Sequence, residues 1–157
     1  MPVLKGNKDQ YHYEENQVIH KKGVVNKILR GYSENNRQDV VIKRIALSGQ
    51  SNASLRDLKQ EGKIHSDHPN LAKTYEYIVT SDFLYIIREY VHGIDLRHFI
   101  YNKKLRKKTS KHFFVKCATE TLSGLEALHN QQIIHCDIKP SNIILEEDQN
   151  GDVDLEN

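Results

Sequence analysis

The amino-acid sequence predicts an α+β fold, with a sheet-rich first part followed by a mainly helical second part. Three observations carry this reading. Short apolar and β-branched runs recur up to residue 87, and Val40-Val41-Ile42-Lys43-Arg44-Ile45 is almost continuous, as a central strand should be. Only one helical stretch interrupts them. Beyond Gly93 the apolar period lengthens, and Phe114, Ala118, Thr121, Leu125 and Leu128 repeat at a period near 3.6. Strands gathered first and helices later make α+β, not an alternating α/β chain.

The elements follow in order. Residues 1–17 are largely polar, with Tyr11 and Tyr13, and read as a lead-in. Val24, Val25, Ile28 and Leu29 then form a strand pattern around Gly23, and residues 33–38 read as a turn before the strand at 40–45. A helix opens after Ser48-Gly49-Gln50-Ser51, with Asn52 or Ser54 as its N-cap and Leu55, Leu58, Glu61 and His65 at helical spacing. His68-Pro69-Asn70 ends it. Strands are expected at 74–80 and 84–87 with Ser81-Asp82 as their turn, then a short helix at 95–100. The longer helix starts after the cap pair Thr109-Ser110, and strand-like pieces follow at Ile133-Ile134 and 142–145.

The chain has 157 residues, of which 38% are hydrophobic and 28% charged, a folded composition sized for one domain. Its net charge of +2 is too small to imply nucleic acid or a membrane surface as partner, and neither is expected. Nothing approaches the roughly 20 apolar residues of a bilayer span. The two cysteines, Cys117 and Cys136, form no disulfide framework, and the first residues lack the apolar core of a signal peptide. An intracellular, cytoplasmic protein is the expectation.

The chemistry concentrates in His135-Cys136-Asp137-Ile138-Lys139-Pro140-Ser141-Asn142. Phosphoryl transfer to a hydroxyl needs a carboxylate that orients the attacking group and accepts its proton. It also needs a cation near the transferred phosphoryl and an oxygen ligand for magnesium. Asp137, Lys139 and Asn142 supply these three on one short loop. Upstream, Lys43 sits in an apolar strand, where an ammonium requires a partner. Glu61 lies on the Leu58 face of the helix, eighteen positions later.

These motifs resemble those of eukaryotic-type serine/threonine protein kinases. The lysine two places after the aspartate matches that class, and Val40-Val41-Ile42-Lys43 is similar to the family's Val-Ala-Ile-Lys strand. The resemblance implies a small antiparallel β-sheet lobe with one helix (residues 18–91, hinge included), followed by the first, mainly helical part of a large lobe (residues 92–157). It also implies ATP and Mg2+, with a protein substrate or regulatory partner. In that scheme Asp137 and Lys139 are catalytic, Asn142 binds the metal, Lys43 holds the phosphates and Glu61 positions Lys43. Backbone groups of Glu89 and Val91 would bond the adenine, with Asp95 near the ribose.

The family's phosphate-covering loop, Gly-x-Gly-x-x-Gly-x-Val, is only partly kept. Counting back from Lys43 places its three glycine sites on Lys21, Gly23 and Asn26 and its valine on Ile28. Arg88 stands where the family usually carries an apolar residue beside the adenine, and Cys136 replaces the arginine before the aspartate. The Asp-Phe-Gly motif is not in the sequence, so a fragment with weak or no transfer of its own is expected. The alternative is a pseudokinase-like module that binds nucleotide or a partner without catalysis.

Overall fold

The computed structural model describes residues 2–22, 26–61, 67–106, 109–148, 150 and 153. The chain divides into two compact units, Met1–Asp67 with Ala72–Tyr90, and His68–Leu71 with Val91–Asn157. The α+β class holds, with the large sheet in the first unit and most of the helix in the second.

The first unit contains β1 (Val3–Lys5), β2 (Gln10–Lys22), β3 (Asn26–Ser33), β4 (Gln38–Ala46), α1 (Asn52–Glu61), β5 (Thr74–Val79) and β6 (Phe83–Glu89). The six strands form one antiparallel sheet in the order β1-β2-β3-β4-β6-β5. β4 is interior to the sheet, and both of its faces are covered. Val40 and Ile42 join Leu4, Tyr11, Tyr13, Leu29, Tyr85 and Ile87 on one side. Ile45 joins Leu84 and Ile86 on the other, where Leu58 of α1 packs. Burial on both faces is why this strand reads as a continuous apolar run.

Two expectations are corrected here. Residues 1–17 are not a lead-in, because β1 and the first half of β2 lie within them and Tyr11 and Tyr13 are buried. Their burial alternates with His12 and Glu14, so a period-two signal was present beneath the polar composition. The helix cap is Ser51, not Asn52 or Ser54. Its hydroxyl accepts the Ser54 N–H at 3.1 Å. Val24 and Val25 lie outside the described residues, as does His65.

The second unit contains β7 (Gly93–Asp95), α2 (Leu96–Tyr101), α3 (Lys103–Arg106), α4 (Lys111–His129), a 3-10 turn over Pro140–Asn142 and β8 (Ile144–Glu146). Phe99, Phe113 and Leu145 form its core, with the two phenylalanine rings 4.9 Å apart. Ser110 caps α4 by accepting the Phe113 N–H at 3.1 Å. His68–Leu71 packs against this helix, with His68 Nε2 3.3 Å from Ser123 Oγ. Gly124 permits that approach, since a Cβ there would stand 3.0 Å from the Asn70 carbonyl oxygen.

Ile133-Ile134, expected as a strand pair, belongs to the helix exit. Gln132 takes a left-handed φ of 61° and Ile133 N–H returns to the Leu128 carbonyl at 3.0 Å, an acceptor it shares with the Gln131 N–H at 2.9 Å. A strand would need that donor elsewhere.

Candidate functional site

The loop leaving α4 gathers the chemistry-bearing side chains of the second unit. Cys136 adopts φ 60°, a conformation that costs a non-glycine residue roughly 1–2 kcal/mol and that recurs at functional loops. Directly after it, Asp137 N–H donates to His135 Nδ1 at 3.2 Å. Pro140 opens the 3-10 turn, where its fixed φ fits and its missing N–H costs nothing. That turn brings Asn142 back to Asp137, with Asn142 Nδ2 donating to the Asp137 carbonyl at 2.8 Å and to Oδ2 at 2.9 Å. Lys139 Nζ meets the same Oδ2 at 2.8 Å.

The loop is fastened downstream as well. Leu96 N–H donates to the Ile143 carbonyl at 2.8 Å, and β8 pairs with β7. The cluster is open to solvent, with the side chains of Asp137 and Lys139 exposed by 61% and 48%. A carboxylate, an ammonium and an amide therefore share one oxygen at an accessible surface. Because the Asn142 amide gives its N–H groups to Asp137, its oxygen is the end suited to a hard cation.

In the first unit, Lys43 is half-buried in β4, paired in register with Ile28 of β3 and Ile86 of β6. Ile28 and Lys43 are thus direct cross-strand neighbours. Lys21 pairs with Lys27 in the β2–β3 ladder, and its side chain lies outside the described residues, as does Gly23 altogether. Asn26 turns its Oδ1 to the Ala46 N–H at 3.0 Å, a sheet-internal bond that sequence reasoning did not foresee. Glu61 is the last residue of α1, and its side chain also lies outside the described residues.

Glu89 ends β6, and its N–H donates to the Lys73 carbonyl at 2.8 Å while its carboxylate accepts the Lys73 N–H at 3.0 Å. The half-buried Arg88 donates from Nε to Thr74 Oγ1 at 3.3 Å. Val91 opens the longer segment of the second unit. Asp95 has a structural role not expected for it. It caps α2, accepting the His98 N–H at 2.9 Å and engaging the His98 ring. Burial alone would raise its pKa, but the His98 backbone and ring hold the carboxyl below the usual aspartate value.

The fold and this loop define a protein kinase domain, and comparison with known proteins agrees. Residues 13–155 match the family described as protein kinase domain, and the chain belongs to that family. It is 33% identical over 129 residues to cell division control protein 7 of Schizosaccharomyces pombe, covering 81% of this chain and 12% of that protein. It is 32% identical over 122 residues to serine/threonine-protein kinase ULK3 of Homo sapiens, covering 75% of this chain and 25% of that protein. Identity to CBL-interacting protein kinase 10 of Oryza sativa subsp. japonica is 28% over 153 residues, covering 96% of this chain and 33% of that protein. The chain therefore spans a third or less of each relative. The six-stranded antiparallel sheet with α1 fits the family's small lobe. Among the described residues no helix is long and apolar enough to cross a membrane.

Proposed function

We propose that this chain supplies the nucleotide-lysine strand and catalytic loop of an ATP-dependent kinase acting on serine and threonine hydroxyls of proteins, inside the cell. The observation that carries the proposal is the convergence of Lys139 Nζ and Asn142 Nδ2 on Asp137 Oδ2, each within 2.9 Å. Asp137 orients the substrate hydroxyl and accepts its proton, a contribution of typically 10²–10⁴-fold. Lys139 neutralises charge growing on the transferred phosphoryl, and Asn142 Oδ1 is the ligand for Mg2+. Bound Mg2+ would supply charge neutralisation across the phosphates. Lys43, steadied by Glu61, takes the phosphates, and the residues from Lys21 through Gly23 and Asn26 to Ile28 cover them. Backbone groups of Glu89 and Val91 hold the adenine. Asp95 meets the ribose only if its carboxylate keeps an oxygen for it beside the α2 cap.

The small lobe, expected over residues 18–91, is extended back to β1 and ends at Tyr90, with the large-lobe part running on from Val91. The nucleotide reading is tested by a thermal titration with Mg-ATP. Binding at 100 times the dissociation constant adds about 2.7 kcal/mol, a shift of several degrees. Lys43→Met should abolish that shift.

A second reading, a pseudokinase-like module that binds nucleotide or a partner without catalysis, is favoured by one observation. Asn26, at a site where the family has glycine, spends its side chain on Ala46. A wild-type chain whose melting point ignores Mg-ATP at millimolar concentration would reject the first reading and leave only the partner-binding form of the second.

A further inference from the structure

Glu76 lies in β5, at one edge of the sheet, and only 6% of it is exposed. Its carboxylate accepts three hydrogen bonds from the N-terminal segment at the other edge. The donors are Asn7 N–H at 2.9 Å, Lys8 N–H at 3.3 Å and the Tyr11 hydroxyl at 2.9 Å. Lys8 Nζ adds a bond to the Tyr75 carbonyl at 3.1 Å. Gly6 passes so close that a Cβ on it would overlap the Glu76 carboxylate. The buried Asp9 fastens the same segment to the β3–β4 turn, accepting from the Ser33 hydroxyl, from Asn35 N–H at 2.9 Å and from Asn36 Nδ2 at 3.2 Å. Asn7, Lys8, Asp9 and Tyr11 all precede the family match, which begins at residue 13.

Residues 73–76 are in turn bonded to the end of β6. Lys73 and Glu89 exchange two hydrogen bonds, Thr74 receives Arg88 Nε, and Glu76 pairs in register with Ile87. A continuous line of hydrogen bonds thus runs from the N-terminal segment, through β5, to residues 87–89.

We propose that residues 2–13 are a strap closing the sheet, and that Glu76 is a positioning residue that fixes the backbone of Arg88 and Glu89 for the purine base. This rests on the nucleotide reading above. Glu76 meets no substrate atom, and its influence passes through β5. Strap and carboxylate stand or fall together, because a buried carboxylate without donors is strongly disfavoured.

The test uses the full chain carrying Glu76→Ala and Gly6→Ala, singly and together, read by amide hydrogen exchange and by titration with adenosine and with inorganic tripolyphosphate. Both single variants should speed exchange at residues 86–90, and the double variant should be no worse than the stronger single one, since both break one contact. Adenosine affinity should fall about tenfold, equivalent to one well-aligned hydrogen bond, while tripolyphosphate, which depends on Lys43, binds as before. Glu76→Gln, which keeps one accepting oxygen for Lys8 and Tyr11, should fall between. Equal loss of both ligands with protection lost across the sheet would make Glu76 merely structural and overturn the proposal. Unchanged exchange at residues 86–90 would overturn it too. A wild-type chain that binds neither ligand rejects the nucleotide reading, and base positioning with it, while the exchange data still decide whether the strap holds β6.

Discussion

Asp137 Oδ2 receives both Lys139 and Asn142, and a substitution of Asp137 tests the proton-accepting role proposed for it. Asp137→Asn keeps the shape but removes the proton acceptor. Transfer from labelled ATP to a basic protein, expected to be weak for this chain, should drop to background, with the circular dichroism spectrum unchanged because the residue is solvent-exposed. Asp9 gives the opposite kind of prediction, one of stability. Its burial favours the neutral acid, yet bonds from Ser33, Asn35, Gln10 and Asn36 outweigh that and set its pKa below the ordinary 3.8. A depressed folded-state pKa stabilises the fold above the unfolded value and ceases to do so as pH falls through the folded one. Asp9→Asn should therefore cost about 1–3 kcal/mol at neutral pH, a gap that narrows below pH about 4 in urea titrations. The Asp137–Lys139–Asn142 cluster was legible in the sequence because Asp137 and Asn142 are five positions apart and Pro140 dictates the turn between them. Asp95 was read only as a ribose neighbour, since an aspartate before a helix looks the same whether it caps or binds.

At the level of elements, legibility followed burial. β4 and β6 are apolar because they are covered on both faces, and their positions were read closely. Ile86 is fully buried in the cluster with Ile45 and Leu84 on the face where Leu58 packs, so Ile86→Ala should cost about 2–5 kcal/mol by chemical denaturation. α4 announced itself through its period and the Ser110 cap, which holds the Phe113 N–H. Ser110→Ala should lower stability by about 1 kcal/mol, seen as a drop of a few degrees in melting temperature. Where partners are distant in sequence the reading failed. Ile133 looks like a strand residue, but its N–H belongs to the Leu128 carbonyl at the end of α4, and apolar composition alone does not reveal that hydrogen bond.

For the molecule as a whole, the largest departure from the sequence reading lies in its first nine residues. Five of them, Lys5-Gly6-Asn7-Lys8-Asp9, carry no apolar side chain, which ordinarily marks a solvated lead-in. Yet Leu4 is 7% exposed and Asp9 4%, and the backbone of Asn7 and Lys8 satisfies a buried carboxylate nearly seventy residues away. These residues are polar because they feed the hydrogen-bonding demand of Glu76 and the β3–β4 turn, a demand invisible until β5 is brought alongside. Removing residues 2–9 discards the Leu4 contact and leaves Glu76 with Tyr11 alone of these three donors. The two losses together should reduce unfolding free energy by at least about 3 kcal/mol in urea, with the slope of the transition nearly preserved since little total surface changes. A deletion that left the midpoint unmoved would return these residues to the status of a lead-in. A loss of that size would make a segment lying ahead of the family match part of the sheet's own stability.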